Sequence, residues 1–174
     1  EFAPERVLNH MMQHILNNDA DIDYIFPLDA DEFIYCPSRE KLNAFLTLIP
    51  QNRVGMYTWR GYLPHSTEYD PDFIFHFTDQ RKEEILTPKV IIPRTIAETC
   101  ILTIGSHSVR DKEGKEVQSI VFIGSNNQQF YYWFINRFNA EFIETNDLWL
   151  GHYPIRSTIQ QIKKVLEKSI TMVM

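Results

Sequence analysis

The apolar residues of this chain change their spacing partway along, so the fold has to combine helices with strands. Up to Ile49 they recur at helical intervals. Val7, Leu8, Met11, Met12, Ile15 and Leu16 form one set, and Leu42, Phe45, Leu46 and Ile49 a second. From Val54 onward the interval is two, as where Phe73, Phe75 and Phe77 alternate with Ile74 and His76. The spacing predicts a first helix from Pro4 to the polar run Asn17-Asn18-Asp19. A second helix is expected from Ser38 as N-cap to a stop at Pro50. Strands are expected at residues 24–28, 54–59, 73–77, 89–92, 100–104 and 117–123. The last two are expected to form a hairpin through Asp111-Lys112-Glu113-Gly114. Residues 60–72 read as a polar and aromatic loop long enough to bind something. In residues 130–142, Phe130, Trp133, Phe134 and Phe138 favour a helix. A C-terminal helix is expected behind the capping box of Ser157 and Gln160, with Ile159, Ile162, Leu166 and Ile170 as its apolar stripe. No repeat, low-complexity tract or linker interrupts the chain. The expectation is therefore one α/β domain over residues 1–174.

Composition narrows the function classes. The 174 residues suit one domain that buries about two-thirds of its unfolded surface. With 17 basic residues against 23 acidic ones the net charge is −6, which argues against a broad nucleic-acid face and leaves room for a local basic pocket. Cys36 and Cys100 lie far apart and form no CxxC pair, so core packing in a reducing compartment fits both. The longest apolar runs, near residues 120–123 and 131–135, are too short to cross a bilayer, and no signal-peptide pattern opens the chain. A cytoplasmic location is expected, with peripheral attachment at the inner membrane face the variant of it. The first residue is Glu1 rather than methionine, so sequence upstream of it is expected. The sequence carries no sign of oligomeric state.

The most informative chemistry lies in Asp29-Ala30-Asp31-Glu32-Phe33, directly behind the apolar stretch from Tyr24 to Leu28. In open α/β sheets ligands bind where strands turn into loops. Carboxylate oxygens there suit Mg²⁺ or Mn²⁺, which is commonly held by one or two carboxylates and substrate phosphate oxygens. Asp29 and Asp31 are the expected metal ligands. Glu32 either binds the metal's water shell or points to solvent. Aspartates also cap backbone amides well, so the same residues could simply make a turn. Three acids between apolar segments nevertheless repel one another unless a cation or hydrogen-bond donors compensate.

Residues 23–34, Asp-Tyr-Ile-Phe-Pro-Leu-Asp-Ala-Asp-Glu-Phe-Ile, resemble the "lDaDEF" segment of bacterial family 2-like glycosyltransferases of the GT-A fold. His152-Tyr153-Pro154-Ile155-Arg156-Ser157, followed by Lys163 and Lys164, is similar to their "HYxxRS…K" segment. Residues 54–61 and the Lys89-Val90-Ile91-Ile92-Pro93 stretch resemble the strand and "K-x-I-V" elements between them, and Gly105-Ser106-His107 the intervening histidine. The resemblance implies a GT-A-like, Rossmann-related mixed sheet flanked by helices. It implies transfer of a sugar from a nucleotide-sugar donor to a glycan or lipid-linked acceptor, as in making cell-surface polysaccharide. It assigns metal and diphosphate carboxylates to Asp29 and Asp31, and metal or phosphate ligation to His152 and His107. Arg156, Ser157 and Lys163 would lie near the departing diphosphate. Members of that group begin with a strand and helix that bind the nucleotide base, so this chain resembles the later portion of such an enzyme.

The C-terminal segment has an independent rationale. A helix behind His152 would offer free backbone N–H groups to an anion, and Arg156 would add a planar donor fork. His10 and His14 sit one turn apart but lack the glutamate of an HExxH site, and with His65 and His76 they read as structural or exposed. A catalytic base is needed beside the acceptor hydroxyl. Glu68, Asp70 and Asp72 are candidates, with Asp72 the one assigned, and Trp59, Tyr62 and Tyr69 offer sugar-stacking faces. Inverting and retaining outcomes both stay open. Two other classes compete. A haloacid-dehalogenase-type phosphohydrolase also places DxD behind a buried strand, but it wants Thr or Val where Phe33 stands and a later Asp-Asp pair. A non-catalytic carbohydrate-binding or scaffold domain keeps the fold without turnover. Arg156→Ala is expected to weaken diphosphate binding more than free-sugar binding in calorimetry; equal effects would remove Arg156 from the anion pocket.

Overall fold

The computed structural model describes residues 4–63, 79–80, 88–103, 106–124 and 140–153, and in them helix and strand mix as the spacing requires. At the centre is a five-stranded mixed sheet. Its spatial order is β1 (Tyr24–Ile25), β6 (Lys89–Pro93), β3 (Val54–Tyr57), β9 (Ser119–Ile123) and β10 (Ala140–Glu144). β6 runs antiparallel to β1 and β3, while β9 is parallel to both β3 and β10. β3, β6 and β9 are buried at every position, which explains why these segments read as near-continuous apolar runs.

Alternation along those strands sends side chains to opposite faces, and each face has its own core. Val54, Met56, Val90, Ile92, Val121 and Ile123 pack with Met12 and Leu16 of α1 (Pro4–Asn18), and with Ile96 and Ala97 of the short helix over Arg94–Ala97. The hairpin of β7 (Ile101–Thr103) and β8 (Ser108–Arg110) adds Leu102 and Val109 to that face. Tyr57, Ile91, Ile120 and Phe122 point the other way, toward Ile49 and the Leu42, Phe45 and Leu46 side chains of α2 (Arg39–Thr47). A four-stranded sheet closes the same face with Ile34, Leu150 and Trp59. Its order is β2 (Glu32–Tyr35), β11 (Trp149–His152), β4 (Trp59–Leu63) and β5 (Asp79–Gln80).

Local chemistry fixes the helix ends. Ser38 caps α2 by accepting the Lys41 N–H at 3.2 Å, as its position before the apolar set implies. The end of α1 and the turn behind it are held from a distance: the Arg94 guanidinium donates to the backbone oxygens of Leu16 in the helix and of Asp19 and Ala20 just past it. Asn9 fastens the same helix to β7, accepting from Leu102 N–H at 2.8 Å and donating to its carbonyl at 2.9 Å.

Several sequence expectations need correction. The strand expected over 24–28 is regular only at Tyr24–Ile25. That expected over 54–59 breaks at Thr58, so β3 and β4 join different sheets, and residues 60–63 of the expected loop continue β4. The Asp111 turn forms, with Asp111 Oδ1 accepting from Glu113 and Lys115 and Gly114 at φ 81°, but the hairpin partners are β7 and β8. β9 is apolar on both faces, and only the centre of a sheet covers both; the chain therefore carries it between β3 and β10. Residues 140–142 belong to a strand, paired in parallel with β9, and not to a helix. The strand expected over 73–77, the bulk of the expected 130–142 helix and the expected C-terminal helix lie outside the described residues. Among the described residues no helix is long and apolar enough to cross a membrane.

Gly55 marks the tightest point of the core. A Cβ there would press on the Ile49 side chain and come within 3.1 Å of Ile91 Cβ. Gly55→Val is expected to cost about 1–3 kcal/mol through overpacking. Thermal unfolding followed by circular dichroism should show a melting point lower by several degrees; an unchanged one would mean that Ile49 moves aside freely.

Candidate functional site

The acidic turn sits where β1 ends and the four-stranded sheet begins. Pro27 is buried behind it, and the Glu32 N–H closes the turn on the Asp29 carbonyl at 3.1 Å. Glu32 then folds back, its Oε2 accepting the Asp29 N–H at 2.9 Å. It is only 4% exposed, so the option that it points to solvent is overturned. The reason is a counter-charge: Lys89, fully buried at the start of β6, donates to Asp29 Oδ2 at 2.9 Å and forms an ion pair with Glu32 Oε2 at 3.1 Å. It also donates to Ser106 Oγ.

Strand pairing brings His152 and Tyr153, the described part of the C-terminal motif, to this turn. β11 lies antiparallel to β2, with His152 opposite Glu32, and parallel to β4, with His152 opposite Gly61. The ladder continues into the turn itself, where Tyr153 N–H donates to the Asp31 carbonyl at 2.9 Å. As a result His152 Nε2 stands 3.9 Å from Asp31 Oδ2. Trp59 of β4 lies against His152 with ring centroids 4.5 Å apart, and against His107 at 5.4 Å. Its face also receives the Lys89 ammonium, 5.7 Å from the ring centroid. One indole thus borders both histidines and the buried lysine.

His107 is oriented by its own hydrogen bond. Its Nδ1 lies 2.8 Å from the Pro88 carbonyl, which can only accept, so Nδ1 carries the proton and Nε2 keeps its lone pair. A backbone carbonyl on the far nitrogen is the arrangement that prepares an imidazole for a metal. Burial lowers the His107 pKa, with the Lys89 charge adding to that, against the Pro88 hydrogen bond and Asp29, which raise it. Burial pushes the Glu32 carboxyl up, opposed by the Asp29 amide and Lys89. Burial, then the Glu32 charge, holds the Tyr57 hydroxyl well above its ordinary range. Among the described residues, Glu32 Oε1, Tyr57 Oη and Trp59 Nε1 are buried and have no hydrogen-bond partner.

The structure therefore joins Asp29 with Glu32 through Lys89, sets Asp31 beside His152, and places His107 and His152 around Trp59. Asp72, Arg156, Ser157 and Lys163 lie outside the described residues, as do Glu68, Tyr69 and Asp70. Among the described residues, no three His, Cys, Asp or Glu side chains gather closely enough to hold a metal ion unaided. Asp29 and Asp31 are of the donor type that Mg²⁺ and Mn²⁺ accept, ions commonly held by one or two protein ligands with water and phosphate oxygens completing the shell. Sequence reasoning missed Lys89 as a site residue, together with Ser106 as its partner. Its signal was a lone ammonium opening the otherwise apolar strand Lys-Val-Ile-Ile-Pro, in a chain whose acidic turn needed a compensating cation.

A lowered imidazole pKa makes a signed prediction. The folded state prefers neutral His107, so this contribution to stability is complete above the ordinary value of 6.5 and is lost as pH falls through the lower folded value. Urea unfolding from neutral to mildly acidic pH should show wild type losing more stability than His107→Gln, and parallel curves would remove the effect. No family model, curated protein or solved structure matches this chain.

Proposed function

We propose that this chain carries the metal and diphosphate site of a glycosyltransferase, which moves a sugar from a nucleotide-sugar donor to a glycan or lipid-linked acceptor. The observation that carries the reading is the pairing of β2 with β11, which sets His152 and Asp31 side by side although they lie at opposite ends of the chain. The resemblance requires that its two motifs share one site. The expected GT-A-like architecture is likewise a proposal, supported by the mixed sheet with the acidic turn at a strand's end.

In this reading Asp31 and His152 would hold Mn²⁺ or Mg²⁺, with His107 Nε2 within the same group of residues. The cation, when bound, neutralises the charge that builds on the diphosphate as the glycosidic bond breaks. The chain's own part is positional. Lys89 fixes the acidic turn, the Pro88 carbonyl fixes the His107 ring, and the Trp59 ring packs against both histidines. Asp29 and Glu32 act through that turn. Asp72 as base, and Arg156, Ser157 and Lys163 as diphosphate partners, remain assignments from the resemblance.

A second reading has its own observation. The outward face of the four-stranded sheet carries Tyr35 stacked on Trp149 at 4.5 Å, Tyr62 stacked on Tyr153 at 5.1 Å, and Phe33 against Tyr153. Aromatic rings of this kind favour a carbohydrate-binding domain without turnover. Calorimetry with UDP, GDP and CDP, with and without Mn²⁺, separates the two. Metal-dependent diphosphate binding that Asp31→Ala abolishes is expected. Binding that survives this substitution would defeat the site, and glycan binding with no nucleotide affinity would favour the second reading.

A further inference from the structure

Lys89 brings a charge into this site that the acidic motif alone does not foresee. Its side chain is 1% exposed and that of Glu32 is fully buried, whereas Asp29 is 59% exposed. The ammonium therefore approaches the turn from inside the protein, donating to Asp29 and Ser106 and pairing with the Glu32 carboxylate. Among the described residues, the buried Glu32 Oε1 and the Tyr57 hydroxyl have no hydrogen-bond partner. Tyr57 is the direct strand partner of Lys89, which places that hydroxyl on the lysine's side of the sheet.

We infer that Lys89 is the resident cation of the acidic turn, a positioning residue that takes the inner side of Asp29 and Glu32 and, through its charge, lowers the affinity of the neighbouring Asp31 and His152 for a divalent metal. The inference rests on the metal-site reading above and deepens it. Three carboxylates in one short turn would otherwise form a site attractive to many cations. With an ammonium bound to two of them, the net charge offered to an incoming ion is smaller, and the Asp29-Glu32 arm is held in one geometry with or without metal. Lys89 thereby keeps metal affinity moderate, so that a ligand's own phosphate oxygens are needed to complete the binding.

The test removes the ammonium and keeps the length of the side chain. Titration of the full chain with MnCl₂ and no nucleotide, by calorimetry, should give Lys89→Met an affinity about tenfold or more above wild type, because a like charge near the ion has gone. Melting curves should show Mn²⁺ raising the midpoint of Lys89→Met more than that of wild type. Glu32→Gln keeps the lysine and removes one carboxylate, so its Mn²⁺ affinity should fall below wild type. A purely structural lysine predicts weakened binding in both variants, and that result would overturn the inference. So would a Lys89→Met protein that binds Mn²⁺ no more tightly than wild type, or one that stays unfolded with Mn²⁺ present. A failure of UDP, GDP and CDP to bind wild type would defeat the glycosyltransferase reading and leave this nucleotide-free comparison to stand or fall by itself.

Discussion

A lysine ammonium taken out of water and set among carboxylates is the constraint on which this site depends. Each buried ion loses several kcal/mol of hydration, so such a cluster survives only where donors and acceptors match closely. Here Lys89 donates to Asp29 and Ser106 and pairs with the Glu32 carboxylate, and the face of Trp59 adds a further favourable contact. Removing one partner from a buried pair costs about 3–5 kcal/mol, a large share of a domain's net stability. The acidic turn is consequently part of the core's architecture as well as a surface for a ligand. Asp29 shows both aspects: one carboxylate oxygen meets the buried ammonium, while much of the side chain remains open to solvent.

That ionic cluster also explains why the two sheets meet where they do. β6 delivers Lys89 from the central sheet, and β2 delivers Glu32 from the smaller one. Their pairing ties the sheets together at the end where the histidines stand. The opposite end of the same interface is held apolar, by Phe122 against Phe45 and by Leu148 and Leu150 in the second core. Burial supplies most of the energy there, since such contacts scale with the apolar area removed from water. The polar end contributes geometry. It places Trp59 between His107 and His152, and it sets Asp31 beside His152.

Much of this was legible in the sequence, and the parts that were not have physical reasons. α1 and α2 follow from their apolar stripes and from Ser38, and their bounds fall close to those expected. The three strands buried on both faces, β3, β6 and β9, fall where strands are expected. β2 and β11 did not, because each is four residues long and alternates aromatic, aliphatic and ionisable side chains. Such segments become strands only when they pair with each other, and pairing between distant segments leaves no local mark. The acidic turn and His152 were visible as motifs. Their proximity follows from that same pairing, so it needed the structure. In the sequence Lys89 shows only as the first residue of an apolar strand, and its role follows once its buried depth beside Glu32 is known.

The small sheet also shows why its register is so strongly specified. Along β2 and β11, one set of alternating positions points inward, with Glu32, Ile34, Leu150 and His152. The other set points outward, with Phe33, Tyr35, Trp149 and Tyr153, joined by Tyr62 and by Arg60 lying 4.6 Å over the Trp149 ring. A slip of one residue would exchange these sets. It would drive Trp149 and Gly151 against the core and carry His152 away from Asp31. Gly151 adds a further constraint, because a Cβ there would lie 2.9 Å from Tyr153 Cε2 and 3.3 Å from Trp149 Cζ3. The stacked rings can close over the strand only where that residue has no side chain. The aromatic face and the ionic face are therefore two consequences of one alignment, and the rings on the outside hold the histidine in place on the inside.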